Sequence, residues 1–400
     1  MFDVAIIGGG IVGLSTAHQL KEANPDLEVC VIEKESDVAQ HQTKNNSGVI
    51  HSGIYYRPGS LRARNCREGH RMLTEFCDRH QVPYELCGKL IVATRKEEVP
   101  TLQGIYEKGI KNGLTDLKII DSQEAATIEP HVQCVRAIKV PQAGIVSYEQ
   151  VAKTYLKIFQ EQGGQLKTGS PVKQIVAGSN AVEISTEGKS IRSRFYINCA
   201  GLYADHVTQL SAVNPGYQIL PFRGEYYELK PESEHLVNHL IYPVPDINFP
   251  FLGVHFTRMI QGGIEAGPNA VLAFKREGYH RTDFDGRELW EILQYKGFRI
   301  LASKYWRTGL GEMHRSFSKS AFVKALQKLI PAITVDDVVE GRSGVRAMAC
   351  APDGSLVDDF VILDAPRGLH VISAPSPAAT ASLAIGKEIV TRLKKKMKHE

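Results

Sequence analysis

The first fourteen residues constrain the fold more than any other stretch of the chain. An apolar run over residues 2–7 breaks into Gly8, Gly10 and Gly13, and a helical spacing of apolar residues begins at Leu14. In a G-x-G-x-x-G turn, the first glycine permits the turn, the second lets the backbone approach a pyrophosphate, and the third lets helix and strand pack closely. Free N–H groups at the helix N-terminus also favour phosphate. The stretch therefore predicts a dinucleotide-binding unit.

A second apolar run supports this prediction. Residues 28–33 indicate a buried strand that ends in Glu33, near the spacing expected for a carboxylate that binds a ribose hydroxyl. A glycine cluster in an ordinary loop is the alternative. The flanking strand, the following helix and Glu33 together favour the dinucleotide site, although the motif does not distinguish NAD from FAD.

The composition is that of an ordinary globular enzyme. The chain has 400 residues, of which 23% are charged, and this length favours two domains. A net charge of +4 is small and evenly spread, so we expect no nucleic-acid partner. One basic cluster lies near the C-terminus: Arg392, Lys394, Lys395, Lys396 and Lys398. These cations are typical of a helix C-terminus in water, and peripheral contact with an anionic membrane surface is the alternative.

The seven cysteines have neither C-x-x-C nor Cys/His ligand spacing, so they predict no disulfide framework and no metal site. The first strand begins directly after Met1, which argues against a signal or transit peptide. No apolar run reaches the length of about 18 residues that a membrane span needs. We therefore expect a cytoplasmic protein, with a peripheral position on the inner membrane as the alternative.

Further elements predict that the nucleotide-binding part is discontinuous. A polar loop over residues 37–46 leads to small residues around His51, which would let the backbone lie against a flat ring. Residues 193–201 indicate a parallel strand that returns beside the glycine turn. Residues 341–347 are interpreted as a loop that returns to this sheet, and residues 368–381 predict a closing strand and turn before a helix, whose N-terminus carries a partial positive charge.

The middle of the chain favours a second domain built on antiparallel strands. Residues 253–258 and 263–267 predict neighbouring strands, with His255 and Thr257 on one face and Arg258 on the other. We predict an α/β protein with an α+β second domain. The predicted boundaries are residues 1–80, 145–215 and 341–400 for a discontinuous, Rossmann-like nucleotide-binding domain, and residues 81–144 and 216–340 for the substrate-binding domain.

Longer stretches carry a resemblance to a known family. The chain resembles the D-amino-acid-oxidase-like, or glycerol-3-phosphate-oxidase-like, FAD-dependent oxidoreductases, and within them the L-2-hydroxyglutarate oxidases and dehydrogenases. The stretches that carry it are residues 51–56 with 58–60, 223–227, 249–258, 265–270 and 374–383. The resemblance implies FAD as cofactor and a dicarboxylate, L-2-hydroxyglutarate, oxidised at its hydroxyl carbon to 2-oxoglutarate. It also implies reoxidation by a membrane quinone or electron-transfer chain, or by oxygen.

Oxidation of a hydroxy acid needs a base for the hydroxyl proton and cations for the carboxylates. The candidate bases are His51, on the loop that the family places against the flavin, and His255. The candidate cations are Arg346 and Arg258, with Arg223 and Lys275 as alternates, and Tyr226 or Tyr227 would add a hydroxyl. Each of these side chains has an alternative role in packing or in a structural ion pair. Met348 stands where the family leads us to expect a polar residue.

The residues predicted to bind the cofactor follow the motif and the family pattern. They are Gly8, Gly10, Ile11, Val12, Gly13, Glu33, Lys34, Thr43, Ser47, Gly48, Val172, Ala200, Gly201, Ser376, Pro377, Ala378, Ala379 and Thr380. Val172 is included by analogy alone, as a backbone contact to adenine. Cys66 or a histidine could attach the flavin covalently, but non-covalent binding is favoured.

Three other functions fit parts of the sequence. An FAD oxidase or dehydrogenase of another substrate, such as glycerol-3-phosphate or an amino acid, shares most of the motifs. An NAD-dependent dehydrogenase fits the glycine turn but leaves residues 374–383 unexplained. A non-catalytic, FAD-binding membrane protein is supported only by the basic C-terminus.

Overall fold

The computed structural model describes residues 1–245 and 253–399. Residues 249–252 of the family-like stretch 249–258 therefore lie outside the described residues. Within the described ranges the strands are β1 (Phe2–Ile7), β2 (Val29–Ile32), β3 (Val49–Ile50), β4 (Tyr84–Glu85), β5 (Lys89–Ala93), β6 (Lys118–Asp121), β7 (Arg136–Val140), β8 (Gly144–Val146), β9 (Gln165–Lys167), β10 (Gln174–Ala177), β11 (Val182–Thr186), β12 (Lys189–Asn198), β13 (Gln218–Leu229), β14 (Leu240–Pro243), β15 (His255–Arg258), β16 (Ile264–Gly267), β17 (Val271–Leu272), β18 (Val338–Cys350), β19 (Val361–Ala365) and β20 (Gly368–Ser373).

The α-helices in the same ranges are α1 (Ile11–Ala23), α2 (Leu61–His80), α3 (Val99–Lys111), α4 (Ser122–Ile128), α5 (Tyr148–Glu161), α6 (Ala204–Gln209), α7 (Gly286–Gln294), α8 (Lys296–Phe317), α9 (Lys319–Leu326) and α10 (Ser382–His399). Among these helices, none combines the length and the apolar character that crossing a bilayer would require.

The first sheet has the order β10-β11-β12-β1-β2-β9, with β20 pairing β12 and β19 pairing β20. β1 is parallel to both β2 and β12, and its apolar run is buried because helices cover this part of the sheet. Leu14 of α1, Tyr155 of α5 and Ile389 of α10 share the core cluster that packs there. The predicted strand over residues 193–201 is confirmed, since β12 lies beside β1 and ends next to the glycine turn.

The second sheet runs β17-β13-β16-β15-β14-β5-β7-β6, and β18 pairs β13. Most neighbours are antiparallel, as predicted, but β14 runs parallel to β5, which places Leu240 opposite Lys89. The predicted antiparallel pair β15 and β16 is confirmed, with His255 opposite Gly267. β3, β8 and β4 form a small third sheet, in the order β3-β8-β4. The predicted α/β class is confirmed.

One interpretation of the sequence was wrong. Residues 341–347 are not a loop but part of β18, which pairs along β13 with Arg346 opposite Phe222. Two glycines and several polar residues weaken the strand pattern there. Gly344 is needed because a Cβ at this position would stand 2.3 Å from the Asn45 carbonyl oxygen. Arg346 therefore belongs to the second sheet, and the two-domain division with its boundaries stays a prediction.

Candidate functional site

The glycine turn has the close packing that its motif predicts. Gly8 has φ +109°, and a Cβ there would lie 2.5 Å from the Cys199 carbonyl oxygen. A Cβ at Gly13 would lie 2.0 Å from the Gly8 carbonyl oxygen, so only glycine lets α1 start this close to β1. The Ile11 N–H donates to Thr43 Oγ1 at 2.9 Å. This bond ties the helix N-terminus to the predicted polar loop.

Glu33 ends the second strand, as predicted, and its carboxylate supports the turn. Oε2 accepts from the Gly9 N–H at 2.7 Å and Oε1 accepts from the Glu35 N–H at 3.0 Å. A carboxylate has about four lone-pair sites, so these bonds leave acceptor capacity for a ribose hydroxyl. Glu33 therefore holds the loop and still faces the cleft.

A cleft of about 1130 Å³ opens beside this turn. It is larger than the roughly 300–1,000 Å³ of sites for drug-sized ligands, and so suits a dinucleotide. The predicted cofactor residues on its wall are Gly8, Gly10, Glu33, Lys34, Thr43, Val172, Ala200 and Gly201. β10 begins only at Gln174, which leaves Val172 outside the strand on the cleft wall.

Lys34 lies on this wall, and its positive charge is paired with carboxylates. Its ammonium is 2.5 Å from Glu277 Oε1 and 3.1 Å from His41 Nε2, and it pairs with Glu35. Burial lowers the pKa of Lys34, but the hydrogen bonds that its ammonium donates to Glu277 and Glu35 outweigh this effect and raise the pKa. Glu35, His41 and Glu277 are close enough together to ligate a metal. The ammonium already lies among them, so they serve as partners of Lys34.

The loop over residues 47–51 and the closing segment over residues 376–380 are brought together, although more than 300 residues separate them. The His51 N–H donates to Thr380 Oγ1 at 3.1 Å, and Ser376 Oγ lies 3.3 Å from His51 Nε2. Thr380 Oγ1 is also 2.6 Å from the Tyr148 hydroxyl. Ala378 and Ala379 pack against the main core. Ile11 and Val12 lie at the start of α1, and Gly48 adjoins Ser47 in the loop.

Sequence reasoning missed Lys89, which begins β5 and is close enough to His51 and His255 for its charge to add to the effect of burial in lowering the pKa of both. Lys89 is only 3% exposed, and no carboxylate of the described residues pairs with it. Its ammonium lies 4.5 Å from the ring centre of Tyr242 and 5.0 Å from that of Tyr55. Burial lowers the pKa of Lys89 to about 8. Such a buried cation, lying over aromatic faces, is ready to bind an anion.

His255 belongs to the same cluster as Lys89 and His51, since the charge of Lys89 acts on both imidazoles, and we refer to this cluster as the chamber. Its ring lies 4.0 Å from that of Tyr242, centre to centre, and its Nδ1–H donates to the Gly253 carbonyl oxygen at 2.9 Å. Because a carbonyl oxygen only accepts, Nδ1 carries the hydrogen and Nε2 of the neutral ring has the lone pair. Burial, and then the charges of Arg346 and Lys89, lower the pKa of His255 to about 3 despite that hydrogen bond.

His51 is likewise neutral at pH 7. Burial, followed by the charges of Lys89 and Arg62 and by the nearby His255, lowers the pKa of His51 to about 3. The half-buried ring can therefore accept a proton, and a cation placed beside it opposes protonation in the resting enzyme. His51 and His255 are thus two neutral imidazoles near an ammonium that pairs with no carboxylate of the described residues.

Arg346 and Tyr226 complete the chamber on the side of the second sheet. Burial raises the pKa of Tyr226 to about 12, although the Arg346 charge and a hydrogen bond to Ser47 lower it. Met348 lies two residues from Arg346 and therefore on the same strand face. The Arg342 guanidinium bonds Glu265 at 2.5 Å and the Asn46 carbonyl oxygen at 2.7 Å. This pair holds β16 and β18 against the loop that carries Ser47.

The structure does not bring the other candidate cations here. Arg258 pairs with Glu85, on the opposite strand face from His255. Arg223 is buried in an ion pair with Glu225 at 3.1 Å. Tyr227 packs against Phe322 in a core cluster, and Lys275 lies half-buried beyond β17. Cys66 adjoins the chamber, but burial raises the pKa of its thiol to about 12, which disfavours a thiolate that could attach the flavin.

A family model described as FAD-dependent oxidoreductase matches residues 3–392. The chain belongs to this family. The match spans both sheets and the chamber between the loop over residues 47–51 and β5, and it confirms the resemblance inferred from the sequence. The oxidoreductase therefore uses FAD, and the alternative of an NAD-dependent dehydrogenase is set aside.

Named relatives cover nearly the whole oxidoreductase. An L-2-hydroxyglutarate dehydrogenase of Indibacter alkaliphilus is 54% identical over 96% of this chain and 97% of the relative. The mitochondrial L-2-hydroxyglutarate dehydrogenase of Homo sapiens is 48% identical over 96% of this chain and 87% of its own. Among solved structures, the FAD-bound L-α-glycerophosphate oxidase of Mycoplasma pneumoniae has a TM-score of 0.81 at 24% identity, covering 98% and 94% of the two chains.

The residues present fit FAD. The glycine turn presents backbone that a side chain would block, and the N-terminus of α1 presents free N–H groups, the two features that pyrophosphate binding needs. The cleft has the volume for the adenosine half. Residues 376 and 380 of the closing segment contact His51, which follows Ser47 and Gly48 in the loop; contact of these segments with the flavin ring stays a prediction.

Gly13→Ala should leave the oxidoreductase without FAD. The added Cβ would stand 2.0 Å from the Gly8 carbonyl oxygen, so α1 must move away from β1 at a cost of about 1–3 kcal/mol or more. The measurement is flavin absorbance per protein after purification, with the melting temperature. Gly104→Ala on α3 is the matched control, because nothing lies within 4 Å of its Cβ. Equal flavin content in the two variants would contradict the packing role of Gly13.

Proposed function

We propose that this enzyme oxidises L-2-hydroxyglutarate to 2-oxoglutarate, with electrons leaving to a membrane quinone or to oxygen. The observation that carries the proposal is the buried Lys89, with which no carboxylate of the described residues pairs, near the neutral His51 and His255. Relatives 45–54% identical to this chain carry the name of that dehydrogenase, and the chamber has the groups that a hydroxy dicarboxylate requires.

The substrate presents two carboxylates and one hydroxyl, and the chamber offers a partner for each. Lys89 and Arg346 bind the carboxylates, one each. The substrate carboxylate provides the negative charge that the described residues do not place beside Lys89. This charge offsets the free-energy cost of burying the ammonium. Tyr226 and Tyr242 add hydroxyl groups beside these cations. The same chamber disfavours an amino acid, because a substrate ammonium would approach the Lys89 ammonium.

His51 accepts the proton of the substrate hydroxyl as the hydride leaves the carbon that bears this hydroxyl. FAD, when bound, supplies the two-electron oxidant that takes up the hydride. His51 is favoured over His255 because it bonds the closing segment over residues 376–380, next to the predicted flavin position. His255, with its tautomer held by Gly253, then orients the substrate. The product keeps both carboxylates, and the proton remains on His51 until it passes to solvent.

The pH dependence of catalysis should show the loss of the Lys89 ammonium at alkaline pH. The ammonium is present below its pKa of about 8 and is lost as the pH rises, so kcat/KM should fall by about tenfold per unit above that pH. Since the pKa of His51 is lowered to about 3, kcat/KM should not fall between pH 7 and 6 through protonation of this base. The measurement is kcat/KM against pH with an artificial electron acceptor.

Lys89→Arg is the control for this profile, because a guanidinium stays charged across the whole range. Whatever activity the variant retains should no longer decline near pH 8. An unchanged alkaline decline in Lys89→Arg would assign the decline to another group and contradict the role of Lys89. A panel with glycerol-3-phosphate, amino acids and other hydroxy acids tests the alternative substrates directly.

A further inference from the structure

The helix pair α7–α8 exposes an unusual set of apolar side chains. Among the large apolar side chains of the described residues that are exposed, half lie between residues 284 and 317: Phe284, Trp290, Leu293, Ile300, Trp306, Leu310 and Phe317. The chain has only two tryptophans, and both are here, 60% and 55% exposed. A monomeric enzyme rarely leaves such a surface in water without a partner.

The side chains on α8 form one ridge. Trp306, Leu310 and Phe317 are separated by four and seven residues, which places them on one face of a helix. The opposite face of α8 carries Leu301, Glu312 and Ser316, which are buried against the rest of the protein. The helix departs from regular geometry only at Tyr305, before the ridge begins. The ridge therefore spans about 16 Å along the helix axis.

Cations flank this ridge without carboxylate partners. Lys296, Arg299, Lys304 and Arg307 are all exposed, and the sequence has no Asp or Glu from residue 292 to residue 311. None of these four side chains forms an ion pair with another described residue. Arg307 lies over the ring of Trp306 at 5.2 Å. We refer to residues 284–317 with these cations as the α7–α8 face.

We propose that the α7–α8 face docks the enzyme onto an anionic membrane surface. Tryptophan and phenylalanine on one side of a helix, flanked by Lys and Arg, are typical of a helix that lies in the lipid headgroup region. A second copy of the chain fits less well, because a symmetric contact would bring the four cations of each copy together. The proposal is independent of the substrate that the enzyme oxidises.

The basic C-terminus, the other candidate for membrane contact, has a different surface. Lys387 pairs with Glu68, Arg392 with Glu388, and Lys396 with Asp364. The apolar residues of α10, such as Ile389 and Leu393, are buried in the main core. In the described part of α10, no large apolar side chain is exposed. Only the charges of α10 would attract a membrane there, whereas the α7–α8 face can also insert apolar side chains into the lipid.

The two tryptophans make a direct test possible. The FAD-loaded enzyme is mixed with vesicles of phosphatidylcholine containing phosphatidylglycerol, and with phosphatidylcholine vesicles alone. We expect a blue shift of the tryptophan emission and quenching by brominated acyl chains, both stronger with the anionic vesicles. Absence of any shift and of any co-sedimentation with the anionic vesicles at low salt would overturn the proposal.

Variants locate the contact. Trp306→Ser with Leu310→Ser should lower the vesicle affinity by about tenfold or more, and Lys304→Ser with Arg307→Ser should remove most of the preference for anionic lipid. Ile110→Ser with Val176→Ser removes exposed apolar groups elsewhere and should leave binding unchanged. Lys394→Ser with Lys395→Ser and Lys398→Ser tests the C-terminus and should also leave most of the binding.

Two other results would contradict the proposal. If the C-terminal variant loses binding while the Trp306/Leu310 variant keeps it, the membrane contact belongs to α10. If the Trp306/Leu310 variant changes only the oligomeric state and vesicles do not bind, the face is an interface between copies. In every variant, flavin reduction by substrate in solution should be unaltered, so failure of the docking proposal is distinguishable from failure of the proposed function.

Discussion

His51→Asn should retain FAD but slow flavin reduction by L-2-hydroxyglutarate by about 10²–10⁴-fold, the usual contribution of a positioned base. Asparagine keeps a polar group beside Ser376 but accepts no proton at neutral pH. Since His51 also bonds Thr380 through its backbone N–H, which the substitution keeps, the closing segment should stay in place. The measurement is single-turnover flavin reduction in a stopped-flow instrument without oxygen.

Two histidine variants serve as comparisons. His70→Asn, on α2, removes a histidine that bonds the Gln142 carbonyl oxygen outside the chamber and should reduce its flavin at the unaltered rate. His255→Asn should weaken substrate binding more than it slows the reduction step. A normal reduction rate in His51→Asn together with a large loss in His255→Asn would transfer the base role to His255.

Lys89→Met should lower kcat/KM for L-2-hydroxyglutarate by about 100-fold or more, which corresponds to the cost of about 3 kcal/mol for removing one partner of a buried charge pair. Methionine fills a similar volume without the ammonium. Because no described carboxylate compensates Lys89, the substrate-free variant should melt at the same temperature as the parent or above it. Lower activity with equal or higher stability would identify a binding residue.

The pair Lys89 and Arg346 can be tested with a substrate that has one carboxylate. L-2-hydroxyvalerate keeps the hydroxyl and the first carboxylate of L-2-hydroxyglutarate but lacks the second. Lys89→Met and Arg346→Lys should both impair the dicarboxylate. Only the variant in which the side chain that binds the first carboxylate is changed should also impair the monocarboxylate. Equal losses with both substrates in both variants, or unchanged affinity in Arg346→Lys, would contradict one cation for each carboxylate.

The parts of the molecule that the sequence predicted depend on local signals. The glycine turn and the strand ending in Glu33 each follow from neighbouring residues. The strand before Ala200 and Gly201 was recognisable because its apolar run ends in small residues. These local features place eight of the eighteen predicted cofactor residues on the wall of one cleft.

The chamber was less predictable because distant segments form it. Lys89 is the first residue of the apolar strand β5, and a lysine at the end of a strand usually reaches solvent. Its burial depends on the pairing of β5 with β14, in which Lys89 lies opposite Leu240, 151 positions later in the chain. It also depends on the ring of Tyr242, over which the ammonium lies. Arg346 was predicted as a candidate cation but placed in a loop, since the glycines of β18 obscured its strand pattern.

The measurement that tests the central claim most directly is the visible spectrum of the purified, FAD-loaded enzyme, mixed without oxygen with L-2-hydroxyglutarate and, separately, with the D-enantiomer. The flavin bands should bleach with the L-acid alone, and 2-oxoglutarate should form in an amount equal to the reduced flavin. Flavin bands that stay unchanged with the L-acid, or that bleach equally with both enantiomers, would contradict the proposed reaction.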